Sequence, residues 1–332
     1  MARPEILQAD VLSWLLEPAD PSVRFWTLQT LQGKAPTHPD VQAAQEALMR
    51  SPTVKTILAA QTPQGYWNKP ESMYLPKYTA TTHSLLILAE LGAKRTPAIE
   101  RGMEHLFKFQ LDSGHFVAVQ PKTKKGYASS LIDGGCITGN VLYYAIHFGY
   151  LNDPRIQRTI DFLIKTHSAR DGGWSCRSYP INRAGVFPTN CYMGMMKVLR
   201  GLAAIPENQR PAPLQALLKK DVEVTLENRI FWYLRAPDGS RKVKQGWTRF
   251  GFPLFYQSDA LEVLDTLTRL NVRDERMQDA IDLVLAGRGS DGKWRLQNTF
   301  NGKMWHDIDV KGQPSKWITL RALRVLRRLY GD

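Results

Sequence analysis

The sequence alternates between two kinds of apolar pattern, and both have the period of an α-helix. The first kind is rich in small and apolar residues and covers 22–31, 78–91, 136–150, 191–205, 256–270 and 315–330. In the second kind, apolar residues recur three or four positions apart among charged ones, over 97–109, 154–166, 213–231 and 275–286. A helix that is apolar all round is buried, whereas an amphipathic helix keeps one face in water. The pattern therefore predicts an inner set of helices enclosed by an outer set.

A short loop with a glycine two positions before an aromatic residue recurs between these segments. It occupies 61–67, 110–116, 171–174 and 291–294, and its glycines at 65, 114, 172 and 292 are 49, 58 and 120 positions apart. The last interval is about two repeats, and a degenerate copy at Asp238-Gly239 and Gly246-Trp247 fills it. Glycine supplies the positive φ of a sharp turn. The spacing indicates a repeated helix pair of 50–60 residues.

These repeats predict one all-α domain over 1–332, an (α/α)5-6 toroid of inner and outer helices. An extra N-terminal helix is expected within 1–20, and the repeats fall at about 21–76, 77–132, 133–189, 190–255, 256–314 and 315–332. A helical solenoid of the HEAT type has a period nearer 40–47 residues. We therefore favour the closed ring over the solenoid.

The Gln- or Asp-Gly-x-Trp loop resembles the QW motif of squalene and oxidosqualene cyclases, and the ring resembles protein prenyltransferase β subunits. The resemblance runs from about residue 21 to residue 330. It implies a prenyltransferase- or terpene-cyclase-like protein that binds an isoprenoid or other amphipathic anionic substrate in a central cavity. A prenyltransferase of that kind works with a second subunit, and the sequence of one chain does not show whether such a partner exists.

The sequence lacks the motif that supplies the catalytic acid of class II cyclases. Those enzymes share an Asp-x-Asp-Asp motif, and the nearest match here, Asp307-Ile-Asp309-Val310, lacks the third carboxylate. An aspartate without a supporting neighbour ionises near pH 4 and is a poor acid at pH 7. The Asp-Asp-x-x-Asp motif of class I enzymes is also missing from the sequence. We therefore expect no standard terpene cyclisation.

Three cysteines, Cys136, Cys176 and Cys191, all fall at or near the starts of inner helices in neighbouring repeats. Thiolates favour Zn²⁺, and a helix N-terminus stabilises their anionic form. Zinc held by these cysteines is therefore one hypothesis, with His115 or Asp133 as a further ligand. The other is that they are small buried residues.

The same stretch resembles farnesyltransferase β subunits, which place zinc ligands in an Asp-Gly-Cys and in a later His. Asp133 and Cys136 match the first pair with one residue inserted, and this match implies a catalytic role for both. Thr189 stands where the family has His, so Cys191 or Cys176 would have to take its place.

Aromatic and cationic residues cluster in sequence around the predicted starts of inner helices. Such residues suit an apolar chain with an anionic head group. The alternative is that they pack loops and cap helices. The predicted substrate-binding residues are Lys77, Tyr78, Trp247, Arg249, Tyr256, Asp259, Trp305 and Lys316.

The chain carries a formal net charge of +13, partly from lysines at 122–125 and from arginines at 321, 324, 327 and 328. This excess is either a solvated surface or a means of steering an anionic substrate. The sequence has no nucleic-acid-binding motif, no apolar run of membrane-spanning length and no secretory pattern, so we expect a cytoplasmic protein without a specific nucleic-acid partner.

Three functions are compatible with these features. The first is a zinc-dependent transferase or related enzyme that acts on an isoprenoid or other amphipathic substrate. The second is a non-catalytic ligand-binding toroid with structural zinc. The third is an (α/α)-toroid carbohydrate-active enzyme whose cations and aromatic residues handle an acidic sugar.

Overall fold

The computed structural model describes residues 8–126, 135–176, 190–232, 234–235, 240–244 and 246–331. Within these ranges the fold is helical, and the only strands longer than one residue are the antiparallel pair Leu234–Arg235 and Arg241–Lys242. The predicted all-α class is therefore confirmed.

The inner helices lie within a few residues of their predicted ranges. They are α2 (Pro21–Thr30), α5 (Thr81–Glu90), α7 (Gly135–His147), α9 (Tyr192–Ala203), α11 (Ala260–Arg269) and α13 (Lys316–Tyr330). All ten residues of α5 are buried, which is what an apolar pattern without a polar face predicts.

The outer helices alternate with the inner ones along the chain. They are α3 (Pro39–Met49), α4 (Pro52–Ala59), α6 (Pro97–Phe107), α8 (Pro154–Thr166), α10 (Ala212–Glu227) and α12 (Gln278–Ala286), and α1 (Ala9–Leu15) precedes the first inner helix. The sequence pattern missed α3 and α4. Both begin with proline at the first helical position, and the side chains of His38 and Ser51 cap them.

Contacts between successive inner helices close the ring. Five of the six neighbouring pairs are joined by side-chain bonds: Trp26 to the Glu90 carbonyl at 2.8 Å, Thr82 to Tyr144 at 3.1 Å, Lys197 to Glu262 at 2.7 Å, Arg324 to Asp265 at 2.8 Å and Arg327 to the Thr30 carbonyl at 3.5 Å. The last of these bonds joins α13 back to α2. The helices therefore form a closed toroid rather than an open stack.

The sixth pair, α7 and α9, packs backbone against backbone. A Cβ atom added at Gly139 would lie 2.4 Å from the Lys197 carbonyl carbon, and one added at Gly201 would lie 2.7 Å from the Gly139 carbonyl oxygen. Only glycine permits so close an approach. This contact brings the first turns of α7 and α9 next to each other.

The first two repeat loops share one set of hydrogen bonds, which explains their glutamine. The Gln61 amide donates to the Gly65 carbonyl of its own loop and to the Ala98 carbonyl of the next outer helix, both at 2.9 Å. Gln110 donates in the same way to Gly114 and Arg155. In these two repeats the loop therefore ties its own repeat to the following one.

The loop tryptophans are anchored in the same manner in different repeats. The indoles of Trp67 and Trp294 each donate at 2.6 Å to the carbonyl ten residues upstream, and their backbone N–H groups donate to Thr81 and Thr319 in the next inner helix. Both side chains are fully buried. The degenerate copy is joined to its inner helix through a carbonyl instead: that of Trp247 accepts from the Ala260 amide at 2.8 Å. Asp238 and Gly239 lie outside the described residues.

Candidate functional site

The repeat loops all meet the first turns of inner helices, so they mark one end of the ring, which we call the loop rim. The bonds that show this run from Trp67 to Thr81, from Phe116 to Thr138, from Cys191 to Trp174, from Ala260 to Trp247 and from Trp294 to Thr319. The inner helices finish at the opposite end, which we call the far end. The predicted site residues belong mostly to the loop rim.

Six ring-bearing side chains from three separate segments meet at the loop rim. This aromatic cluster consists of Tyr74, Tyr78, His83, Phe255, Tyr256 and Phe300. Tyr78 stacks on Phe300 with ring centroids 4.5 Å apart and lies 5.1 Å from Phe255. The Lys77 ammonium lies 5.3 Å from the centroid of the Tyr256 ring. The structure therefore brings together the predicted residues Lys77, Tyr78 and Tyr256.

His83, which stands at the start of the same inner helix as Lys77 and Tyr78 in the sequence, lies at the centre of this cluster. Its ring is 4.8 Å from Tyr74 and 5.2 Å from Phe255, and its Nδ1 atom has no hydrogen-bond partner among the described residues. Burial, assisted by the Lys77 charge, lowers the pKa of His83 to about 3. The imidazole is therefore neutral at pH 7.

Cys136 lies in the first turn of α7, beside the aromatic cluster, whereas Cys176 follows the loop residue Trp174 and contacts Cys191. Cys191 is the N-cap of α9, and its sulfur accepts a hydrogen bond from the Gly194 amide at 3.3 Å. Contact with the Cys176 thiol and this amide bond lower the pKa of Cys191 against the effect of burial. Cys136 lines a gap of about 10 Å³ together with Tyr74, His83 and Tyr256.

The zinc prediction finds no support in this geometry. The described part of the chain contains no group of three or more His, Cys, Asp or Glu side chains placed to hold a metal ion. His115 is turned towards Thr138, 3.2 Å away, and packs on Phe162. Asp133 lies outside the described residues. The described residues therefore do not gather the predicted ligand set, and zinc binding stays a prediction.

The other predicted substrate-binding residues are engaged elsewhere. Lys316 forms ion pairs with Glu17 and Asp20 at 2.7 and 2.6 Å. Trp247 is buried against Tyr192, and the Trp305 indole donates to the Thr79 carbonyl at 3.0 Å. Arg249 is exposed. Their contacts match the alternative reading, in which such residues pack loops and helix ends.

Asp259, the remaining predicted residue, is a buried N-cap. Its two oxygens accept from the backbone amides of Gly251 at 2.9 Å and Glu262 at 2.8 Å. Burial raises the pKa of Asp259 to about 6, although the Arg321 charge and the two amides oppose this change.

This raised pKa predicts a pH-dependent stability. Because the folded protein binds the Asp259 proton more tightly than the unfolded chain does, the contribution of this group falls as the pH rises from about 4 to about 6. We expect a loss of roughly 2–3 kcal/mol across that range. Asp259→Asn should remove it and keep an N-cap acceptor. Urea unfolding of both proteins at several pH values measures the difference, and a difference that does not change with pH would contradict the assignment.

A second cavity, which the sequence did not reveal, lies at the far end. This far-end chamber has a volume of about 210 Å³. Its walls come from all six inner helices and consist of Trp26, Thr30, Glu90, Tyr143, Arg200, Ala203, Glu262, Asp265, Thr266, Arg269, Trp317, Leu320, Arg321, Arg324 and Arg328. It shares no residue with the gap at the loop rim, and along α5 one turn separates Leu86, which lines that gap, from Glu90.

Ion pairs cross the ring inside this chamber. Lys197, fully buried, donates to both oxygens of Glu262 at 2.7 Å. Arg200 on α9 pairs with Glu90 on α5 and, at 3.3 Å, with Glu262. Burial opposes the ionisation of Glu262, but the charges of Lys197 and Arg200 outweigh it and lower its pKa. The lumen is therefore charged at this level rather than uniformly apolar.

A sequence signal for the chamber did exist. Arg321, Arg324 and Arg328 are three and four positions apart, which places them on one face of a helix. In the structure, that face points into the ring. Neither interpretation of the charge excess, a solvated surface or the steering of an anionic substrate, places these arginines inside the ring.

Comparison with known proteins gives a likeness to solved structures only. A variant of the type II terpene cyclase MstE from Scytonema is 16% identical, with a TM-score of 0.45, and the match covers 97% of this chain and 99% of that chain. Another MstE variant, in complex with geranylgeranyl dihydroxybenzoate as substrate, is 14% identical with a TM-score of 0.44 and the same coverage. A protein from Actinoplanes is 15% identical with a TM-score of 0.43, over 93% of this chain and 89% of that chain.

No family model and no curated protein matches the sequence. None of the helices in the described ranges is both long enough and apolar enough to cross a membrane. The comparisons therefore leave the activity to be inferred from the chain's own residues.

Proposed function

We propose that this chain is a terpene-cyclase-like protein that binds an isoprenoid or other apolar-tailed, anionic small molecule within its ring. The single observation that carries the proposal is the aromatic cluster at the loop rim, with Lys77 over Tyr256 and Cys136 in the wall beside it. An aromatic wall with a few well-placed polar groups is the usual lining of a small-molecule site.

The chemistry of the cluster suits such a ligand. Aromatic faces bury the surface of a prenyl chain and attract positive charge, which includes the Lys77 ammonium and any cation that develops on a ligand. His83 is neutral, so it adds no charge to the apolar side of the site. Lys77 supplies a positive charge at the edge of the cluster, where an anionic head group would be held.

Ligand entry requires the cluster to open. The gap of about 10 Å³ is no larger than one water molecule needs. Tyr78 and Tyr256 are partly exposed, whereas His83 and Phe255 are buried. We therefore expect the two tyrosines to swing outwards on binding while His83 and Phe255 form the fixed floor.

Binding of geranylgeraniol, which has the prenyl chain without a charge, tests this proposal directly. Tyr78→Ala and Tyr256→Ala should each raise its Kd about tenfold, since each removes a large apolar contact. Tyr66→Ala is the matched control, because Tyr66 is a tyrosine in the first repeat loop that contacts His105 and not the cluster. Equal Kd values for all four proteins would refute the proposal. Product analysis after long incubation with geranylgeranyl diphosphate separates an enzyme from a binding protein, which returns the ligand unchanged.

Zinc is kept as a separate hypothesis. It involves Cys136, Cys176 and Cys191 and depends on the segments outside the described residues. Elemental analysis of the purified protein and of the three Cys→Ser variants tests it. Zinc that is lost from all three variants supports the hypothesis, and zinc-free wild-type protein ends it.

A further inference from the structure

The far-end chamber has more positive than negative charge in its walls. Five arginines line it, against the carboxylates of Glu90, Glu262 and Asp265. Arg324 and Arg328 pair with Asp265 at 2.8 Å, and Arg200 serves both glutamates. Lys197, which lies behind the wall, also neutralises Glu262. The three carboxylates are therefore already paired with cations, and Arg321 and Arg269 carry the excess.

Arg321 is the critical member of this set. Its side chain is 7% exposed, and among the described residues its one carboxylate contact within 4 Å is a 3.6 Å approach of Nη2 to Glu90. Its guanidinium carbon also lies 5.8 Å from the centroid of the Phe252 ring. Its Nη1 atom is buried with no hydrogen-bond partner among the described residues. A buried guanidinium N–H without an acceptor costs free energy. A ligand oxygen in the chamber would supply that acceptor.

The helix dipole does not explain Arg321. Arginines near a helix C-terminus stabilise the negative end of the dipole, and this role suits Arg328 in the last turn of α13. Arg321, in contrast, is the sixth residue of this helix. The dipole therefore does not account for the position of this buried charge.

The chamber also has a suitable size and an entrance. Its volume of about 210 Å³ equals about seven water molecules, which is enough for a phosphate or diphosphate group but not for a prenyl chain as well. Arg269, at the end of α11, is exposed and reaches the chamber from the solvent side. An anion can therefore meet Arg269 first and Arg321 deeper in the ring.

We infer that the far-end chamber is a binding site for a phosphate-type oxyanion, either a free phosphate or diphosphate or the same group on an ester, held by Arg321 and Arg269. Guanidinium groups bind phosphate oxygens in two-pronged, charge-assisted hydrogen bonds. This site is separate from the loop rim and does not depend on the rim's function.

Titration calorimetry of phosphate-free protein with inorganic diphosphate tests the inference. We expect Arg321→Gln to raise the Kd at least about tenfold, and Arg269→Gln to raise it several-fold, because each removes a charge-assisted bond. Arg50→Gln is the matched control, since Arg50 is 68% exposed and lies on an outer helix. Diphosphate should also raise the Tm of the wild type and of Arg50→Gln, but not that of Arg321→Gln.

A test on the wild-type protein removes the dependence on variant folding. Phenylglyoxal modifies accessible arginines, and peptide mass spectrometry locates them. Diphosphate should slow the modification of Arg269, which is exposed at the chamber, while leaving that of Arg50 unchanged. Equal protection of both, no diphosphate binding by the wild type, or equal Kd values for the wild type and Arg321→Gln would overturn the inference.

The choice of ligand separates this site from the loop rim and identifies the source of the anion. Diphosphate tests the chamber and geranylgeraniol tests the rim, so either site can fail alone. If geranylgeranyl diphosphate binds more tightly than diphosphate and competes with it, the anion is the head group of an amphipathic ligand. If their affinities are equal, the chamber takes the free anion.

Discussion

Replacing Glu262 with glutamine is expected to lower the free energy of unfolding by about 3–5 kcal/mol, because the change strands a charge inside the ring. Lys197 is fully buried and donates to both Glu262 oxygens. Glutamine keeps the size of the side chain but cannot neutralise the ammonium. Urea unfolding at pH 7 measures the loss. It should shrink at alkaline pH, where Lys197 is deprotonated.

Two further variants show whether the buried charge is the cause. Glu223→Gln breaks an ion pair of similar geometry at the surface, where the 47% exposed Glu223 pairs with Arg276. It should lower the free energy of unfolding by about 1 kcal/mol or less. Lys197→Met combined with Glu262→Gln should recover most of the stability lost in Glu262→Gln alone, since no unpaired charge is left. A loss below about 1 kcal/mol in Glu262→Gln would mean that Lys197 is not charged in the folded protein.

Trp294→Ala is expected to lower the free energy of unfolding by about 3–5 kcal/mol, because the indole is fully buried and its removal leaves a cavity. The loss includes the bond from the indole N–H to the Val284 carbonyl. Thermal and urea unfolding measure the change. Trp67→Ala should behave alike, because Trp67 makes the equivalent bond to Ile57.

Conservative and surface variants provide the comparison for this prediction. Trp294→Phe keeps most of the apolar contact and loses the hydrogen bond, so its cost should be about half or less of that of alanine. Lys303→Ala changes an exposed residue on the segment that follows the loop and should shift stability by about 0.5 kcal/mol or less. A Trp294→Ala protein as stable as Lys303→Ala would show that the repeat loop does not hold the helix pairs together.

The helices were predictable where their pattern was strong. The outer helix α8 was predicted with both ends correct, because proline starts it and its apolar residues keep one face. The pattern did not predict α3 and α4, because no loop of the repeated type precedes them. Their prolines and the cap residue Ser51 were readable signals.

The candidate site was predictable only in part. Lys77, Tyr78 and Tyr256 stood near predicted helix starts, and a ring gathers such positions at one rim. His83 shares the start of an inner helix with Lys77 and Tyr78 and could be selected on the same ground. Phe255 could not, because a buried ring inside an apolar stretch looks the same as any core residue. The cysteines show a second limit of the sequence. It predicts that they lie near one another, but the direction of each side chain depends on packing. His115 turns to Thr138 rather than to the thiols.

The sequence alone determines that this protein is built of paired helices joined by glycine-aromatic loops, and it predicts that they form a ring. Those features depend on local periodicity and on turn residues, which act over a few positions along the chain. The tertiary structure decided what fills the ring. Glu90, Arg200, Glu262 and Arg321 come from four different helices, and only ring closure sets their separations. The energy of a buried charge depends on its partners in space, so the chamber follows from the fold and not from any one segment.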